Sequence, residues 1–228
     1  MSKTDFYDEL AKVYDDVYSE KKMKIRVQRN LEEKLIEKCH GVSLDVGCGT
    51  GRHLRHFGID ISQGMLLRAK GKGILVRGSS EYLPFKDESF DCVYAFFGSL
   101  NHSNIVKSLR EISRVMKRGG KFFATIHNRR DALRVIKSII MGKKPKIKRK
   151  GKIRLVIGGK TLSVWTKFYT REEIERLLPK CGLSGKVYGS LLLPIPLPRD
   201  FGPILVIEAE KPMGHPNGND TSQDSGNI

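Results

Sequence analysis

The segment Leu44–Gly51 constrains the fold of this chain more than any other. Residues Val42–Val46 alternate apolar and polar side chains, which predicts a short strand, and they lead directly into three glycines at 47, 49 and 51. Because glycine has no Cβ, the backbone of such a loop can pass close beneath a bound ligand. A strand that ends in a glycine loop is typical of the opening of a βαβ unit.

The spacing within this loop indicates the kind of ligand. A dinucleotide site uses G-x-G-x-x-G to seat a pyrophosphate at a helix N-terminus. Here the spacing is G-x-G-x-G, and Asp45 lies two residues before the first glycine. A carboxylate at that point repels a pyrophosphate but suits an ammonium group. The loop therefore favours a nucleoside that carries an amino-acid moiety over NAD, with an ordinary strand-to-helix turn as the alternative.

Strand and helix patterns alternate along residues 42–126, which predicts a mostly parallel sheet with helices on both faces. Two helices are predicted within residues 5–39, before this region. The predicted strands are Val42–Val46, Ile59–Ile61, Gly73–Val76, Phe90–Phe96 and Lys121–Ile126, and the predicted helices are Ser62–Lys70 and Asn104–Lys117.

The remaining chain follows a different pattern. Ile153–Ile157 and Leu162–Phe168 flank two glycines and predict a hairpin, and Thr170 begins a helix that runs to Cys181. Two antiparallel edge strands are predicted at the end, Val187–Leu193 and Ile204–Ala209. We expect one domain over residues 1–211. The tail 212–228 consists largely of Gly, Asn, Asp, Ser and Pro, so we expect it to be disordered.

In its motifs the chain resembles the class I S-adenosylmethionine (SAM)-dependent methyltransferases, in the small single-domain branch called type 11. The resemblance implies an α/β fold with a Rossmann-like, seven-stranded, mostly parallel sheet, SAM as cofactor and methyl transfer as activity. Beyond the glycine loop, the matching blocks occur in the family's order: Tyr7-Asp8, Ala11–Asp15, Gly58–Ser62 with Met65-Leu66, Glu81–Phe85, Ser89–Asp91 and Arg114–Gly120.

The resemblance also implies which residues bind the cofactor. The glycine loop matches the segment beneath the methionine part of SAM, Asp45 matches the acid that supports it, and Asp60 matches the carboxylate that accepts hydrogen bonds from the ribose. Ser79, which Ser80 follows, stands where the family commonly has an Asp that binds the adenine amino group. The predicted cofactor-binding residues are Tyr14, Asp45, Gly47, Cys48, Gly49, Gly51, Asp60, Ile61, Ser79, Ser80 and Phe96.

The crossover between the first two strands is shorter than in the family, because Gly51 and Asp60 are close in sequence. A helix over Thr50–Phe57 would span roughly 12 Å at 1.5 Å per residue. The four-residue second strand spans roughly 13 Å. We therefore expect a stunted crossover helix that just makes the return.

Asn101 and His102 follow the fourth strand, where the methyl group faces the acceptor in this fold. Either could orient a substrate, and His102 could take a proton; a helix-capping loop is the alternative. Methyl transfer from a sulfonium gains mostly from positioning, and it needs a base only when the acceptor must lose a proton. We therefore assign no catalytic residue from the sequence.

The charge of the chain indicates an anionic partner. Lys and Arg total 42 against 25 Asp and Glu, which gives a net charge of +17. A basic insert at 143–152 contains no acid, and aromatic residues that could stack on a base follow it at Trp165, Phe168 and Tyr169. The predicted nucleic-acid contacts are Lys143, Lys144, Lys146, Lys148, Arg149, Lys150 and Lys152. A solvated loop is the alternative.

These observations leave three functions open. The first is methylation of RNA such as tRNA. The second is methylation of a small molecule, a metabolite or an isoprenoid-type acceptor, with the proline-rich segment 194–198 as one wall of the pocket. The third is a non-catalytic module that binds SAM or RNA, which the intact glycine loop and Asp60 argue against.

The composition also bears on the cell compartment and on metals. The four cysteines, Cys39, Cys48, Cys92 and Cys181, are scattered without ligand spacing, so we expect unpaired thiols in a reducing compartment and no metal site. The sequence contains neither the apolar run of a signal peptide nor an apolar stretch of about 18 residues. We expect a cytoplasmic protein, and the sequence leaves its oligomeric state open.

Overall fold

The structure is a computed structural model that describes residues 2–19, 21–144, 148–157, 159–190 and 202–214. Its strands are β1 (Ser43–Val46), β2 (Phe57–Asp60), β3 (Ile74–Arg77), β4 (Phe90–Ala95), β5 (Met116–His127), β6 (Lys150–Ile157), β7 (Lys160–Lys167), β8 (Ser184–Ser190) and β9 (Ile204–Glu210). Its helices are α1 (Lys3–Ala11), α2 (Tyr14–Val17), α3 (Met23–Ile36), α4 (Gln63–Ala69), α5 (Ile105–Val115), α6 (Ala132–Ile140) and α7 (Arg171–Lys180).

Seven of these strands form one sheet in the order β3-β2-β1-β4-β5-β9-β8. β9 runs antiparallel to both of its neighbours, and the other pairs are parallel. The predicted seven-stranded, mostly parallel sheet is confirmed, and β6 and β7 pair separately as the predicted hairpin. The strand order reverses between β1 and β4, and ligands of open α/β sheets bind in the crevice at that point.

Helices cover both faces of the sheet because successive strand side chains point to opposite sides. In β4, Val93 and Ala95 join the core beneath α5 and α7. The alternate residues Cys92 and Tyr94 pack against α3 instead. Burying one such large apolar side chain contributes roughly 1.5–3 kcal/mol. The sheet is therefore a two-sided core that fixes the position of the strand ends.

Polar residues at the predicted helix starts act as N-caps. The side chains of Ser62, Asn104 and Thr170 accept hydrogen bonds from the backbone amides of the first turns of α4, α5 and α7. Each such cap satisfies an amide that would otherwise lack a partner, and it contributes about 1 kcal/mol.

The crossover from β1 to β2 differs from its prediction. Residues 47–56 form turns and bends without a helix. A helix advances only about 1.5 Å per residue, whereas an irregular chain can cover about 3.3 Å. An irregular segment can therefore lead the chain back to the sheet with few residues, whereas a helix of the same length would cover less distance.

The expectation of unpaired cysteines is wrong for one pair. Cys39 and Cys92 are joined by a disulfide, with Cα atoms 5.5 Å apart. Both lie in the core between α3 and the sheet. Because the two residues are 53 positions apart, their contact follows from packing and could not be deduced from spacing. Cys48 and Cys181 are free and buried.

Four expectations fall at least partly outside the described residues. These are residues 191–193 of the predicted strand Val187–Leu193, the proline-rich segment 194–198, Lys146 of the basic insert, and residues 215–228 of the predicted tail. Residues 212–214 are described and contain neither helix nor strand.

Asp8 fixes α1 over the start of α4. Its Oδ1 accepts hydrogen bonds from Ser62 Oγ at 2.6 Å and from the Gly64 amide at 2.8 Å. Phe6 and Leu10 of α1 pack in one cluster with Met65 of α4. This close approach favours glycine at position 64, since an added Cβ would lie 3.2 Å from the Asp8 backbone. α1 thus covers the edge of the crevice.

Replacing Asp8 by Ala is expected to release α1. The variant loses two charge-assisted hydrogen bonds, so we expect the free energy of unfolding to fall by about 1–3 kcal/mol. Amide hydrogen exchange should accelerate in Lys3–Ala11. The exposed Asp16→Ala is the matched control and should change neither quantity. Unchanged exchange in α1 of the Asp8 variant would show that this carboxylate does not hold the helix.

Candidate cofactor site

A pocket lies at the carboxyl ends of β1, β2 and β4, beneath α1. Its floor is the glycine loop and its far end is the 79–80 turn. Nine of the residues predicted from the sequence line it, namely Tyr14, Gly47, Gly49, Asp60, Ile61, Ser79, Ser80, Phe96 and His102. It is also lined by Lys3, Tyr7, Val46, Ile59, Met65, Gly78, Phe97, Ser99 and Ser103.

The three glycines of the loop have different surroundings. All have positive φ, at +76°, +53° and +72° for Gly47, Gly49 and Gly51, which disfavours other residues. A Cβ added at Gly47 would lie 2.5 Å from Ser99 Cβ, and one at Gly51 would lie 3.0 Å from Ala69 Cβ. A Cβ at Gly49 meets nothing within 4 Å. Gly49 therefore faces the free space of the pocket, whereas Gly51 packs on α4 and does not line it.

Asp60 joins the glycine loop to the end of β2. Its carboxylate accepts from the Gly49 amide at 2.9 Å and from the Ser62 amide at 2.8 Å. Burial raises the pKa of Asp60, and the backbone hydrogen bonds oppose that rise. A carboxylate has about four acceptor positions, so two remain for hydroxyl donors of a ligand. The free acceptor positions of Asp60 therefore fit the two hydroxyl groups of a ribose.

Asp45 and Cys48 lie beneath the loop instead of along the pocket wall. Asp45 is buried, and its pKa stands well above the usual range because of burial first and then the negative charges of Asp60 and Glu32. Burial also raises the pKa of the Cys48 thiol, which packs toward Gly58 of β2. The raised pKa means that the charged form of Asp45 is disfavoured, and a ligand with a positive group nearby would favour that charged form.

The far end of the pocket offers small hydroxyl groups. Ser79 Oγ accepts from the Glu81 amide at 3.2 Å, and Ser80 Oγ lies 3.0 Å from Ser108 Oγ. Both serines and Ile61 line the pocket. Apolar Ile61 beside two hydroxyls suits a flat, nitrogen-rich ring such as adenine.

Phe97 sits in a constrained conformation directly after β4. Its φ is +55°, which costs of the order of 1–3 kcal/mol for a residue other than glycine. Its amide donates to Thr125 Oγ1 at 3.0 Å and lies 3.3 Å from Glu32 Oε1. Glu32 is fully buried and also accepts from Thr125 Oγ1 at 2.7 Å. This network holds the Phe97 ring at the pocket wall.

The two catalytic candidates occupy different environments. Asn101 is fully buried, where its Nδ2 donates to Lys167 O at 2.5 Å and its Oδ1 accepts from the His127 amide at 3.0 Å. Its side chain holds β5 and β7 together and does not line the cofactor pocket. Asn101 is instead among the residues that line a neighbouring groove, together with His102 and the β6–β7 hairpin.

His102 does line the pocket. Its Nδ1 lies 2.9 Å from the Trp165 carbonyl, which can only accept, so Nδ1 carries the hydrogen and Nε2 has the free lone pair. Burial lowers the pKa of His102 below its usual range. The imidazole is therefore neutral near pH 7 and could accept a proton at Nε2.

The basic insert is partly a strand. Lys143, Lys144, Lys148 and Arg149 are exposed, and Lys150 and Lys152 lie on the exposed face of β6. On β7, Trp165 is 61% exposed, and Lys152 Nζ lies 4.9 Å from its ring centroid. The opposite face of the hairpin packs on α1 through an apolar cluster. The hairpin therefore turns a basic and aromatic surface outward beside the pocket.

Sequence reasoning missed several pocket residues. Lys3 and Tyr7 reach the pocket because α1 folds over it, and the block Tyr7-Asp8 gives no indication of a cofactor contact. Ser99 begins the 3₁₀ turn Ser99–His102 and Ser103 follows it, and neither has a sequence signal of its own.

Within the described residues, no group of His, Cys, Asp or Glu side chains is placed to hold a metal ion. The described helices include none that is long and apolar enough to cross a membrane.

Sequence comparisons show which known proteins this chain resembles. The profile of a family described as "Methyltransferase domain" matches residues 44–124. Uncharacterized protein MJ1252 of Methanocaldococcus jannaschii is 42% identical over 191 residues, which cover 79% of this chain and 75% of that protein. A demethylmenaquinone methyltransferase of Staphylococcus haemolyticus is 38% identical over 95 residues, 34% of this chain and 40% of its own.

A solved structure has the same fold. It is a SAM-dependent methyltransferase of Thermotoga maritima, described as a possible histamine N-methyltransferase, with a TM-score of 0.63. At 20% identity, the superposition covers 90% of this chain and 99% of that one.

A side chain at position 49 is expected to block the cofactor. Gly49→Ala places a methyl group in the free space of the pocket, so we expect the Kd for SAM to rise at least about tenfold, an effect of about 1.4 kcal/mol. Gly71→Ala is the matched control, because Gly71 has φ +84° and a Cβ there also meets nothing within 4 Å. Both positions have positive φ, so both substitutions introduce backbone strain. Calorimetric titration that found equal SAM affinity for both would place the ligand elsewhere.

Binding of SAM should depend on pH through Asp45. A positive ligand group favours the ionised carboxylate, and the pKa of Asp45 is raised well above its usual range. Affinity should therefore be greatest above this raised pKa and be lost as pH falls through it. Asp45→Asn should weaken binding at high pH and flatten the profile. A wild-type Kd that is independent of pH between about 4 and 8, a range that begins at the ordinary Asp pKa, would contradict this role.

Proposed function

We propose that this chain, which belongs to the class I SAM-dependent methyltransferases, methylates RNA such as tRNA. In this proposal the β6–β7 hairpin binds the RNA. The observation that supports the proposal is the position of His102. This residue lines the cofactor pocket and also a groove with the hairpin. The groove is lined by Asn101, His102, Lys150, Trp165, Thr166 and Lys167.

The chemistry of the groove suits a nucleotide. Lys150 and Lys167 offer positive charge for phosphate, and the exposed Trp165 ring offers a stacking surface. Stacking of one base on an aromatic ring contributes about 1–3 kcal/mol. The groove thus combines the two contacts that bind single-stranded nucleic acid, at a residue shared with the cofactor pocket.

A second hollow extends the basic surface away from the pocket. Its lining contains the aromatic residues Phe168 and Tyr169. It also contains one acid, Glu173, which is outnumbered by positive residues. The lining cations are Arg129, Arg149, Lys150, Lys167, Arg176 and Lys180. A polyanion that follows this surface would neutralise several of the excess charges of the +17 chain.

His102 has the chemistry for a base where the acceptor must lose a proton. The bound cofactor supplies an electrophilic methyl group on its sulfonium. His102 would take the proton of the acceptor at Nε2, since Nδ1 is engaged with the Trp165 carbonyl. The ring of Tyr7 lies edge-on to His102 with centroids 5.7 Å apart and restrains its orientation.

The hairpin residues provide the test. We expect Lys150→Ser, Lys152→Ser and Trp165→Ala combined to weaken tRNA binding at least about tenfold and to reduce the salt dependence of binding, because two phosphate contacts and one stacking contact are lost. SAM affinity should not change. Filter binding at several salt concentrations measures the first two quantities, and calorimetry measures the third.

Lys34→Ser with Lys70→Ser is the matched control, since both lysines are exposed and lie on other faces of the molecule. It removes the same charge and should leave the Kd for tRNA near that of the wild type. Equal losses in the two variants would mean that only net charge attracts RNA and that the hairpin is not the binding surface.

A small-molecule acceptor is the second candidate, and two observations favour it. One relative is a demethylmenaquinone methyltransferase by name. In addition, the α6 region exposes apolar side chains, namely Ile136, Ile139, Ile140 and Met141, with exposed fractions of 47–80%. Such a surface suits an isoprenoid-type acceptor. Methyl label that survives nuclease and enters an organic extract would favour this candidate.

A further inference from the structure

Helix α6 exposes its apolar side chains instead of burying them. The side chains of Ile136, Ile139 and Ile140 are 47%, 61% and 80% exposed, and Met141, directly after the helix, is 54% exposed. Ser138, which is polar, is half-buried. A surface helix of a soluble protein normally buries its apolar side. The inverted pattern of α6 is typical of a surface that binds a partner.

The exposed side chains of α6 lie together. Positions 136, 139 and 140 are three and four residues apart, and such positions are neighbours on the surface of a helix. Gly142, with φ +66°, ends the helical path, and its amide donates to Ile139 O at 2.9 Å. Met141 adds a fourth apolar side chain at this end. We call Ile136, Ile139, Ile140 and Met141 the α6 face.

α6 is attached to the protein on its other side. Asp131 caps the helix by accepting a hydrogen bond from the Arg134 amide at 3.3 Å. The guanidinium of Arg134 lies over the ring of Phe168, with Cζ 5.6 Å from the ring centroid. At 3.6 residues per turn, Arg134 is on the side of the helix opposite to Ile136. The contact with Phe168 therefore turns the α6 face outward.

The position of α6 in the fold brings its exposed face to the edge of the sheet that carries the cofactor pocket. β5 is parallel to β4, which is parallel to β1, so the carboxyl ends of these strands lie at the same edge. α6 begins shortly after β5 ends at His127. A surface docked on the α6 face would therefore adjoin the edge at which the methyl group is transferred.

The chain around α6 carries only positive charge. Residues 132–171 contain thirteen Lys or Arg and no Asp or Glu. Lys137 lies within α6, Lys143 and Lys144 follow it, and all three are exposed. A lysine side chain can lie along an apolar layer while its ammonium group remains in water. The α6 face is thus an apolar patch with a cationic rim.

This combination matches a lipid surface with anionic headgroups. Acyl chains accommodate aliphatic side chains, and anionic headgroups attract the lysines beside them. RNA offers phosphates to the lysines but leaves the isoleucines in water. A second copy of this chain would bring two cationic rims together. We propose that the α6 face docks on an anionic membrane surface, with Lys137, Lys143 and Lys144 at the headgroups.

The docking is peripheral and goes beyond the proposed methylation of RNA. With nine residues, α6 is about 14 Å long, whereas the hydrocarbon core of a bilayer is about 30 Å thick. The helix therefore lies in the plane of the surface and does not span it. The proposal holds for either acceptor class, because neither His102 nor the groove takes part in the docking.

Flotation of vesicles with the purified full chain tests the docking. One probe is vesicles of phosphatidylcholine alone, and the other is vesicles of an equimolar mixture with phosphatidylglycerol. We expect at least about tenfold tighter binding to the mixed vesicles, and salt should weaken that binding. The assay contains neither SAM nor an acceptor, so its result is independent of the RNA assignment.

The apolar contribution is tested by Ile139→Ser combined with Ile140→Ser. We expect binding to the mixed vesicles to weaken at least about tenfold, because two aliphatic side chains no longer enter the acyl layer. Met23→Ser with Leu67→Ser is the matched control. Both of these residues are similarly exposed but belong to α3 and α4, so this variant should bind vesicles like the wild type.

The cationic rim is tested by Lys143→Ser combined with Lys144→Ser. This variant should lose about tenfold in affinity for the mixed vesicles and bind phosphatidylcholine vesicles like the wild type, because only anionic headgroups attract these lysines. Lys34→Ser with Lys70→Ser removes the same charge from α3 and from the end of α4, and it should change neither affinity.

Three outcomes would overturn the proposal. A wild-type protein that does not bind the mixed vesicles would exclude the docking, whether or not the variants fold. Equal vesicle binding by the wild type and the Ile139→Ser, Ile140→Ser variant would mean that charge alone attracts the protein. Loss of tRNA affinity or of self-association in that variant, with unchanged vesicle binding, would assign the α6 face to RNA or to a second copy.

Discussion

The hydrogen bond between the Gly49 amide and the Asp60 carboxylate is the contact on which the site depends. It joins the turn after β1 to the end of β2 at 2.9 Å, and so it fixes the two neighbouring strand ends relative to each other. The second oxygen of Asp60 accepts from Ser62 at the start of α4, which Asp8 links in turn to α1. One carboxylate therefore organises the floor and the edge of the pocket, while two of its acceptor positions stay available.

In this enzyme the acids near the cofactor pocket are buried, whereas the cations of the hairpin lie at the surface. Burial raises the pKa values of Asp45 and Asp60, and the negative charge of Asp60 raises that of Asp45 further. The cations of the hairpin are exposed, as Lys150 and Lys152 show, where desolvation costs little. A cationic cofactor and an anionic acceptor would thus be attracted to adjoining regions, and His102 lies where the two regions meet.

The sequence predicted the elements that depend on local pattern, and it failed where tertiary packing decides. Ser62 and Thr170 were recognisable as caps because their hydrogen bonds are made within three residues. The helix expected over Thr50–Phe57 does not form, because too few residues remain for its small rise. The burial of Asn101 depends on contacts with β5 and β7, and the placement of Arg52 depends on the rings of Tyr14 and Phe97. No local sequence pattern predicts those contacts.

The central claim is that this fold carries a methyl group from SAM to RNA. The most direct measurement is transfer of labelled methyl from SAM by the purified protein into a whole-cell extract, followed by parallel treatment with nuclease and organic solvent. The account predicts label that nuclease releases and that the hairpin variant incorporates poorly. Label that survives nuclease and enters the organic or small-molecule fraction would contradict the RNA assignment, while leaving the cofactor site intact.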